Sequence, residues 1–343
     1  MNRPTNSDGW RDTIVTQVRL EAEGVLSLTL AAPDGQQLPS WEAGAHIDVR
    51  LPSGTVRQYS LCGDPDAADY TVAVLREENG RGGSAEIHDT ALVGRTLPIR
   101  GPRNHFPLHA AEHYVFIAGG IGITPVLALA REAARQGASW ELHYGGRSAT
   151  SMAFTSEVRA LASDLSLASD LSLGGYLSLG SNISLVEGEP LDLAAIVSRA
   201  PAGAAVYACG PAGLLAALRE SCGGAHLALY TEQFSADPNA ARAAAQEDAA
   251  GEAPGQAFEV ELARTGATVT VEPGTSILEA VRTVCPDVLS SCEEGFCGTC
   301  ETKVLAGQPV HADSILNERE RESGASMMIC VGSCASRRLV LDL

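Results

Sequence analysis

Apolar and polar residues alternate in three short segments of the first part of the chain, at residues 25–30, 46–51 and 70–75. Alternation with a period of two is typical of a β-strand that buries one face. The tripeptides Pro-Asp-Gly and Pro-Ser-Gly follow the first two segments and indicate turns. Several short strands at this spacing predict an antiparallel β-barrel domain over residues 10–109.

The pattern changes at residues 114–118, an uninterrupted apolar run that predicts a strand buried on both faces. A glycine-rich turn and a helix-like segment follow this run. Residues 140–144 and 204–208 predict two further strands, and the second of these also leads into a helix-like segment. Because strands alternate with helices here, we predict an α/β domain with a parallel sheet over residues 110–234.

One segment of the α/β domain, residues 164–186, departs from the pattern. Leu-Ser-Leu or Ile-Ser-Leu begins every six residues, at Leu165, Leu171, Leu177 and Ile183. Such repeats could form tight strand–turn units, but so brief an array would struggle to cap itself. We interpret the segment as a tolerated or engineered insertion and assign it no chemistry.

A third domain is predicted at the end of the chain. Residues 235–257 are rich in Ala, Asp, Glu, Pro and Gly, which indicates a linker between domains. From Phe258 the alternation returns on both sides of a turn and predicts a β-hairpin, and Thr275 or Ser276 can cap the helix that follows. The predicted domain covers residues 258–343.

Charge excludes two classes of partner. The 343 residues include 24 Lys+Arg against 42 Asp+Glu, a net charge of −18, which argues against nucleic-acid binding through a phosphate-neutralising surface. Lys303 is the only lysine, which excludes a polybasic membrane anchor. No apolar stretch reaches the roughly 18 to 20 residues that a membrane span needs, and the polar N-terminus lacks the layout of a signal peptide. We therefore expect a monomeric, cytoplasmic protein whose cysteines are free thiols or metal ligands.

Six of the nine cysteines lie between Cys285 and Cys334. Among them, the spacing C-x4-C-x2-C with a fourth cysteine well downstream matches plant-type [2Fe–2S] proteins. Structural zinc sites favour two short Cys pairs, and only one is present here, so zinc is the weaker alternative. Cys285 and Cys334 do not fit the spacing and are expected to be core thiols. The predicted cluster ligands are Cys292, Cys297, Cys300 and Cys330.

Further motifs precede the cysteines, namely Arg57-Gln58-Tyr59-Ser60, Gly80-Arg81-Gly82-Gly83-Ser84, Gly119 to Pro125, and Cys209-Gly210-Pro211. Together with the cysteines, and in this order, they resemble the phthalate dioxygenase reductase family, which includes vanillate O-demethylase reductase subunits. The resemblance covers residues 11–343 and implies a flavin-binding β-barrel, an NAD-binding α/β domain and a C-terminal β-grasp plant-type ferredoxin domain. It also implies FMN, NADH and a [2Fe–2S] cluster as cofactors.

In this family the Arg-x-Tyr-Ser element lies along the flavin. Arg57 can form charge-assisted hydrogen bonds with the phosphate or ribityl region, Tyr59 offers a ring face, and Ser60 offers a hydroxyl near N5. The glycine loop exposes amide groups at a helix N-terminus, where a phosphate binds, and its Gly-Gly-Ser form favours FMN over FAD. The implied phosphate-binding residues are Arg81, Gly82, Gly83 and Ser84.

The glycine-rich turn at 119–125 is expected to hold the dinucleotide pyrophosphate by the same physics. Arg147 lies where the adenosine ribose is read and could favour a 2′-phosphate, so NADH over NADPH follows from the family alone. The implied dinucleotide contacts in the turn are Gly120, Gly122, Thr124 and Pro125. The residues implied beside the nicotinamide and the flavin are Cys209, Gly210, Pro211, Glu232 and Phe234.

The resemblance makes Ser60, Cys209 and Glu232 the candidate catalytic residues, although a small buried cysteine is the competing interpretation of Cys209. It predicts an enzyme, the reductase component of a two-component oxygenase. Electrons would pass from NADH through FMN and the cluster, one at a time, to a Rieske-type oxygenase that acts on a small aromatic or related substrate. Two alternatives stay open: a reductase for a cytochrome P450, and a ferredoxin-bearing redox-sensing or binding protein.

The predicted ferredoxin domain is itself acidic, since residues 258–343 hold 13 acidic and 7 basic residues, a net charge of −6. A charge excess is usually a solvated face. Here it also suggests a surface on which an electron-accepting protein docks.

Overall fold

The computed structural model describes residues 9–78, 80–163, 171–173, 176–179, 182–234, 257–316 and 318–343. The chain forms two compact units, Met1–Phe234 and Ser235–Leu343. The predicted linker lies outside the described residues except for Ala257, as does the first Leu-Ser-Leu tripeptide. None of the helices in the described ranges combines the length and the apolar character that a membrane span needs.

The first unit begins with a six-stranded antiparallel sheet in the order β4-β3-β6-β1-β2-β5. The chain after β4 pairs back onto β5 through a bridge between Leu61 and Val72, so the sheet curls into a barrel. Alternate apolar residues such as Leu28 and Ile47 fill the core. The strands are β1 Trp10–Ala22, β2 Val25–Ala31, β3 Ala45–Arg50, β4 Val56–Ser60, β5 Tyr70–Leu75 and β6 Thr96–Asn104, and helix α1 is Gly83–Asp89.

The same unit continues with a seven-stranded sheet in the order β13-β12-β7-β8-β11-β10-β9. Strands β13, β12, β7, β8 and β11 are parallel, whereas β10 and β9 add an antiparallel edge. The strands are β7 His113–Gly119, β8 Ser139–Gly146, β9 Leu171–Leu173, β10 Tyr176–Leu179, β11 Ile183–Glu187, β12 Ala205–Cys209 and β13 Ala228–Glu232. The helices are α2 Ile123–Arg135, α3 Thr155–Ser163, α4 Leu193–Arg199 and α5 Ala212–Ala225.

Three of the Leu-Ser-Leu or Ile-Ser-Leu tripeptides lie on strands. Those at Leu171 and Leu177 lie in the edge strands β9 and β10. The tripeptide at Ile183 lies in β11, which pairs parallel with β8 and is buried. The end of the anomalous segment is therefore a strand of the parallel sheet itself.

The second unit has a five-stranded sheet in the order β15-β14-β20-β16-β18, in which β14 and β20 are parallel. Helix α6 begins where the Ser276 hydroxyl accepts a hydrogen bond from the Glu279 amide, so Ser276 rather than Thr275 is the cap. The elements are β14 Phe258–Leu262, β15 Ala267–Val271, α6 Ile277–Arg282, β16 Glu301–Ala306, β17 Pro309–Val310, α7 Glu318–Ser323, β18 Ser326–Met328, β19 Ser333–Cys334 and β20 Arg338–Leu341.

Candidate functional site

Strand β4 carries Arg57 against the glycine loop that begins helix α1. The Arg57 guanidinium donates hydrogen bonds to the carbonyl oxygens of Arg81, at 3.0 Å, and Val56, at 2.8 Å. A Cβ atom at Gly83 would lie 2.6 Å from Arg57 Nε, which no real Cβ tolerates. A side chain at position 83 would therefore force the Arg57 side chain to move, and the two predicted flavin motifs form one surface.

The other residues of this surface differ in exposure. Arg81 and Gly82 are exposed, and Tyr59 is half-buried, with burial raising the pKa of its phenol so that it stays neutral. The Ser84 hydroxyl accepts a hydrogen bond from the Glu77 amide at 3.0 Å. Through this hydrogen bond, Ser84 also stabilises the conformation of the glycine loop.

Two turns meet at the carboxyl ends of the neighbouring parallel strands β7 and β12. A Cβ atom at Gly122 would lie 2.2 Å from the Cys209 carbonyl oxygen, so the turn after β7 packs directly on the end of β12. Gly120 and Gly122 form a short 3-10 turn, and Gly210 and Pro211 lead into α5. Crevices of this kind, at the carboxyl edge of a parallel sheet, are where such sheets bind nucleotides.

The first turn of α2 contains Thr124 and Pro125, both buried. The Thr124 hydroxyl donates to the Ile121 carbonyl at 3.0 Å and closes the turn on itself. Arg147 follows the end of β8, where it is exposed, on the side of β7 away from β12. It therefore lies apart from the Cys209 turn.

Glu232 ends β13, directly opposite Cys209 in the parallel register of β12 and β13. Its carboxylate accepts a hydrogen bond from the Ser60 hydroxyl, with 3.0 Å between Oγ and Oε2. Burial raises the pKa of Glu232 to about 7, although the bond from Ser60 works against this. Phe234, two residues further on, is 38% exposed.

Cys209 is fully buried, and burial, assisted by the charge of Glu232, raises the pKa of its thiol well above the ordinary value. The thiol is therefore neutral near pH 7 and does not act as a thiolate nucleophile. Ser60, Cys209 and Glu232, which are far apart in sequence, are brought together where the barrel meets the parallel sheet.

A buried ion-pair network beside these strands was not found from the sequence. Asp48 in β3 is fully buried and accepts hydrogen bonds from Arg100 at 2.7 Å and Arg103 at 2.9 Å. Burial opposes its ionisation, yet the two arginines hold the pKa of its carboxyl below the ordinary value. The signal available was an Asp at a core-facing strand position, with two arginines in the Arg100-Gly101-Pro102-Arg103 segment.

The second unit brings the four predicted cluster ligands together. The side chains of Cys292, Cys297, Cys300 and Cys330 are all buried. The Sγ atoms of Cys300 and Cys330 lie 3.1 Å apart, and the Cys292 amide donates to Cys297 Sγ at 3.3 Å. The Glu294 amide donates to Cys292 Sγ at 3.4 Å. Main-chain amides directed at thiolate sulfurs are the surroundings that a [2Fe–2S] cluster needs, so these residues fit the group.

In the described ranges, no group of three or more Cys, His, Asp or Glu side chains is placed so that it could hold a single metal ion. A two-iron cluster instead takes two sulfurs on each iron. Cys285 and Cys334 are half-buried and pack against the core of this unit, as expected of core thiols.

Comparison with known proteins identifies the family. Residues 260–335 match the model of the 2Fe-2S iron-sulfur cluster binding domain. The chain is 42% identical to the phenoxybenzoate dioxygenase subunit beta of Ectopseudomonas oleovorans, over 94% of each protein. Among solved structures, it is 34% identical to phthalate dioxygenase reductase, a modular structure for electron transfer from pyridine nucleotides to [2Fe-2S], with a TM-score of 0.66 and 98% of each chain covered.

A second solved structure is an intact type IV self-sufficient cytochrome P450 monooxygenase, 38% identical with a TM-score of 0.79. The match covers 97% of this chain but only 41% of that one, which therefore contains much more than this chain. These comparisons confirm the predicted fold class, and the matched domain model confirms the predicted [2Fe–2S] domain. The chain is a flavin- and iron–sulfur-dependent oxidoreductase that belongs to the phthalate dioxygenase reductase family.

Proposed function

We propose that this chain is the reductase of a Rieske-type oxygenase that acts on a small aromatic or related substrate. The observation that carries the proposal is the Ser60–Glu232 hydrogen bond, which joins the flavin motif to the end of the nucleotide-binding sheet inside one compact unit. A flavin takes electron pairs from a nicotinamide and releases them singly, which a cluster requires. The relative phenoxybenzoate dioxygenase subunit beta supports an oxygenase partner.

The barrel surface would hold FMN. Arg57 and Arg81 supply positive charge for its phosphate, and the amides of Gly82, Gly83 and Ser84 supply hydrogen-bond donors. The Arg57 bond to the Arg81 carbonyl keeps the charge and the loop in a fixed relation. Tyr59, whose ring is half-buried, would lie against the isoalloxazine, and Ser60 would lie near its reacting edge.

The two turns at the carboxyl edge of β7 and β12 would hold NADH. Gly120 and Gly122 form the turn that precedes α2, and Thr124 and Pro125 lie in its first turn. The N-terminus of α2 favours the negative pyrophosphate. Arg147 would read the adenosine ribose. Cys209, Gly210, Pro211 and Phe234 would surround the nicotinamide and the flavin edge.

Glu232 would act as the charged group at the reacting centre. Loss of hydride leaves positive charge on the nicotinamide ring, and an ionised carboxylate stabilises that charge in a site that excludes water. Since the pKa of Glu232 is about 7, the residue changes charge near neutral pH. Ser60 donates to the carboxylate and orients it, while the neutral thiol of Cys209 fills the space beside it.

Cys292, Cys297, Cys300 and Cys330 would ligate the cluster, which delivers electrons one at a time to the oxygenase. The net charge of −6 over residues 258–343 supports docking on a basic surface of that partner. We further propose that the protein is monomeric and cytoplasmic and binds neither nucleic acid nor membranes.

The cytochrome P450 alternative has a specific observation in its favour, the match to the self-sufficient P450 monooxygenase. The two partners are distinguished by supplying the purified reductase with NADH and either a Rieske oxygenase or a P450, and measuring coupled substrate turnover. We expect turnover with the Rieske oxygenase. Turnover with the P450 and none with the Rieske oxygenase would instead identify the chain as a P450 reductase. If the purified protein reduces neither ferricyanide nor cytochrome c with NADH, it is not a reductase.

A further inference from the structure

Helix α2 is tied to the barrel at the end opposite to the nucleotide turn. The Arg131 guanidinium, through Nη1, donates to the carbonyl oxygen of Cys62 at 2.8 Å and lies 3.4 Å from that of Gly63. These two residues follow closely after Ser60 in the same stretch of chain. Arg131 thus connects the helix that begins at the nucleotide turn with the strand that carries the candidate catalytic serine.

Both ends of this connection are held firmly. On the barrel side, the Leu61 amide donates to Ala45 at 2.8 Å and the Cys62 amide donates to Thr71 at 2.9 Å. On the helix side, Gly122 packs against the Cys209 carbonyl. An α-helix is a rigid rod, and nine residues from Gly122 to Arg131 span about 14 Å. A change at Arg131 would therefore remove a contact that fixes the nucleotide turn relative to Ser60.

The two hydrogen bonds of Arg131 are made at the cost of partly desolvating its charged guanidinium. Burial lowers the pKa of Arg131, which reflects the cost of removing its charge from water. Both acceptors are main-chain carbonyls, which fix the position of the backbone regardless of the side chains there. We therefore attribute the desolvated guanidinium to the backbone position that it fixes at Cys62 and Gly63, rather than to a gain in the free energy of unfolding alone.

We infer that Arg131 is a positioning residue for hydride transfer, which sets the nicotinamide relative to the flavin by locking α2 to the backbone after Ser60. The inference rests on the proposed function, because it requires that FMN and NADH occupy the two surfaces described above. Misplacement of reacting groups by about 1 Å can cost about 100-fold in rate. A small tilt of α2 is therefore sufficient.

The matched control lies one turn further along the same helix. Arg135 donates to the exposed carboxylate of Asp66 at 3.0 Å, so it also joins α2 to the barrel loop, but by a solvated side-chain pair. Such pairs contribute little to rigidity. Replacing Arg135 by Gln removes a similar charge and a similar link, without touching the backbone that follows Ser60.

The test is anaerobic stopped-flow reduction of the FMN-loaded, full-length protein by NADH, in wild type, Arg131→Met, Arg131→Lys and Arg135→Gln. We expect Arg131→Met to lower the limiting reduction rate by about tenfold or more. Flavin content and NADH affinity should stay near wild type, and NADH deuterated at C4 should show a larger isotope effect. Arg131→Lys, which keeps one donor, should recover part of the rate, and Arg135→Gln should behave as wild type.

Three results would overturn the inference: a wild-type limiting rate in Arg131→Met, an equal loss in Arg135→Gln, or a loss explained entirely by released flavin. If Arg131→Met does not fold, the rate and isotope effect of Arg131→Lys decide in the same way. Failure of NADH to reduce the wild-type flavin would instead refute the proposed function. The two failures are therefore distinguishable.

Discussion

The Ser60 hydroxyl donates a hydrogen bond to the Glu232 carboxylate at 3.0 Å, across a separation of 172 residues in sequence. Ser60 ends β4 of the barrel and Glu232 ends β13 of the parallel sheet. The bond therefore fixes the flavin motif against the nucleotide-binding layer. Glu232 is half-buried, and desolvation raises its pKa to about 7 against the effect of the Ser60 bond, so this carboxyl group also makes the candidate centre sensitive to pH.

We predict that the rate of flavin reduction by NADH rises with pH through an apparent pKa near 7, as Glu232 becomes ionised. Replacing Glu232 by Gln should remove this inflection and lower the plateau rate by about 100-fold, because the charge that stabilises the developing nicotinamide cation is lost. Stopped-flow absorbance measured from about pH 6 to about pH 9 gives both the inflection and the plateau rate. A variant that keeps the inflection would show that another group titrates.

Protein stability should respond to the same group in the opposite sense. The pKa of Glu232 in the folded protein, about 7, lies above its ordinary value of 4.5. Its contribution to stability is therefore complete below about pH 4.5 and is lost as the pH rises through 7. Between these limits, the Tm of Glu232→Gln should fall less with rising pH than that of the wild type, as thermal melts in matched buffers would reveal.

The cluster and the flavin should be separable by one substitution. Replacing Cys297 by Ser removes a cluster ligand in the second unit and should abolish the visible absorbance and the EPR signal of the [2Fe–2S] group. NADH-dependent ferricyanide reduction should survive, since the residues proposed to hold the flavin lie in the other unit. Cys334→Ser, a change outside the ligand spacing, is the control and should keep both signals. Loss of ferricyanide reduction in Cys297→Ser would contradict this division of roles.

Acceptor docking should depend on salt, whereas chemistry within the first unit should not. Cytochrome c, a basic acceptor protein, serves as the probe for the acidic 258–343 region. Its reduction should fall several-fold between about 0.01 and about 1 M salt, as the Debye length shrinks from about 30 to about 3 Å. Flavin reduction by NADH, followed without an acceptor, should change little. Equal salt dependence of the two rates would rule out electrostatic docking.

Close packing of the two nucleotide turns can be tested through stability. A Cβ atom at Gly122 would lie 2.2 Å from the Cys209 carbonyl. Gly122→Ala should therefore destabilise the protein by about 2 to 3 kcal/mol, through forced movement of the backbone. Gly213→Ala, an exposed helical position where a Cβ meets nothing within 4 Å, should leave stability unchanged or slightly raised. Urea unfolding of the two variants gives the comparison.

Much of the fold could be predicted because its signals are local. Period-two alternation identified strands such as Tyr70–Leu75, and the apolar run at 114–118 identified the central strand β7. The start of α2 at Ile123 places Pro125 in the first turn, where its missing amide costs nothing. Choosing between Thr275 and Ser276 as the cap required the backbone itself.

The residues of the candidate site could be predicted from the sequence, but the contacts between them could not. Motif spacing predicted the four cysteines, because Cys292, Cys297 and Cys300 lie on one continuous loop and Cys330 follows downstream as it does in plant-type proteins. The Ser60–Glu232 bond, the Asp48–Arg100 pair and the Arg131 link join residues from different elements, so no local pattern could show them. Strand β11, which begins at Ile183, was not predicted for another reason, because its Ile-Ser-Leu sequence also continues the preceding repeats.

The most direct test of electron transfer through this chain is rapid anaerobic mixing of the FMN- and cluster-loaded protein with one equivalent of NADH. Flavin absorbance and the EPR signal of the reduced cluster are followed together. We predict that the flavin is reduced first, and that the cluster signal then grows at the expense of the reduced flavin. A cluster that stays oxidised while the flavin remains fully reduced, or one that is reduced in protein stripped of flavin, would contradict it.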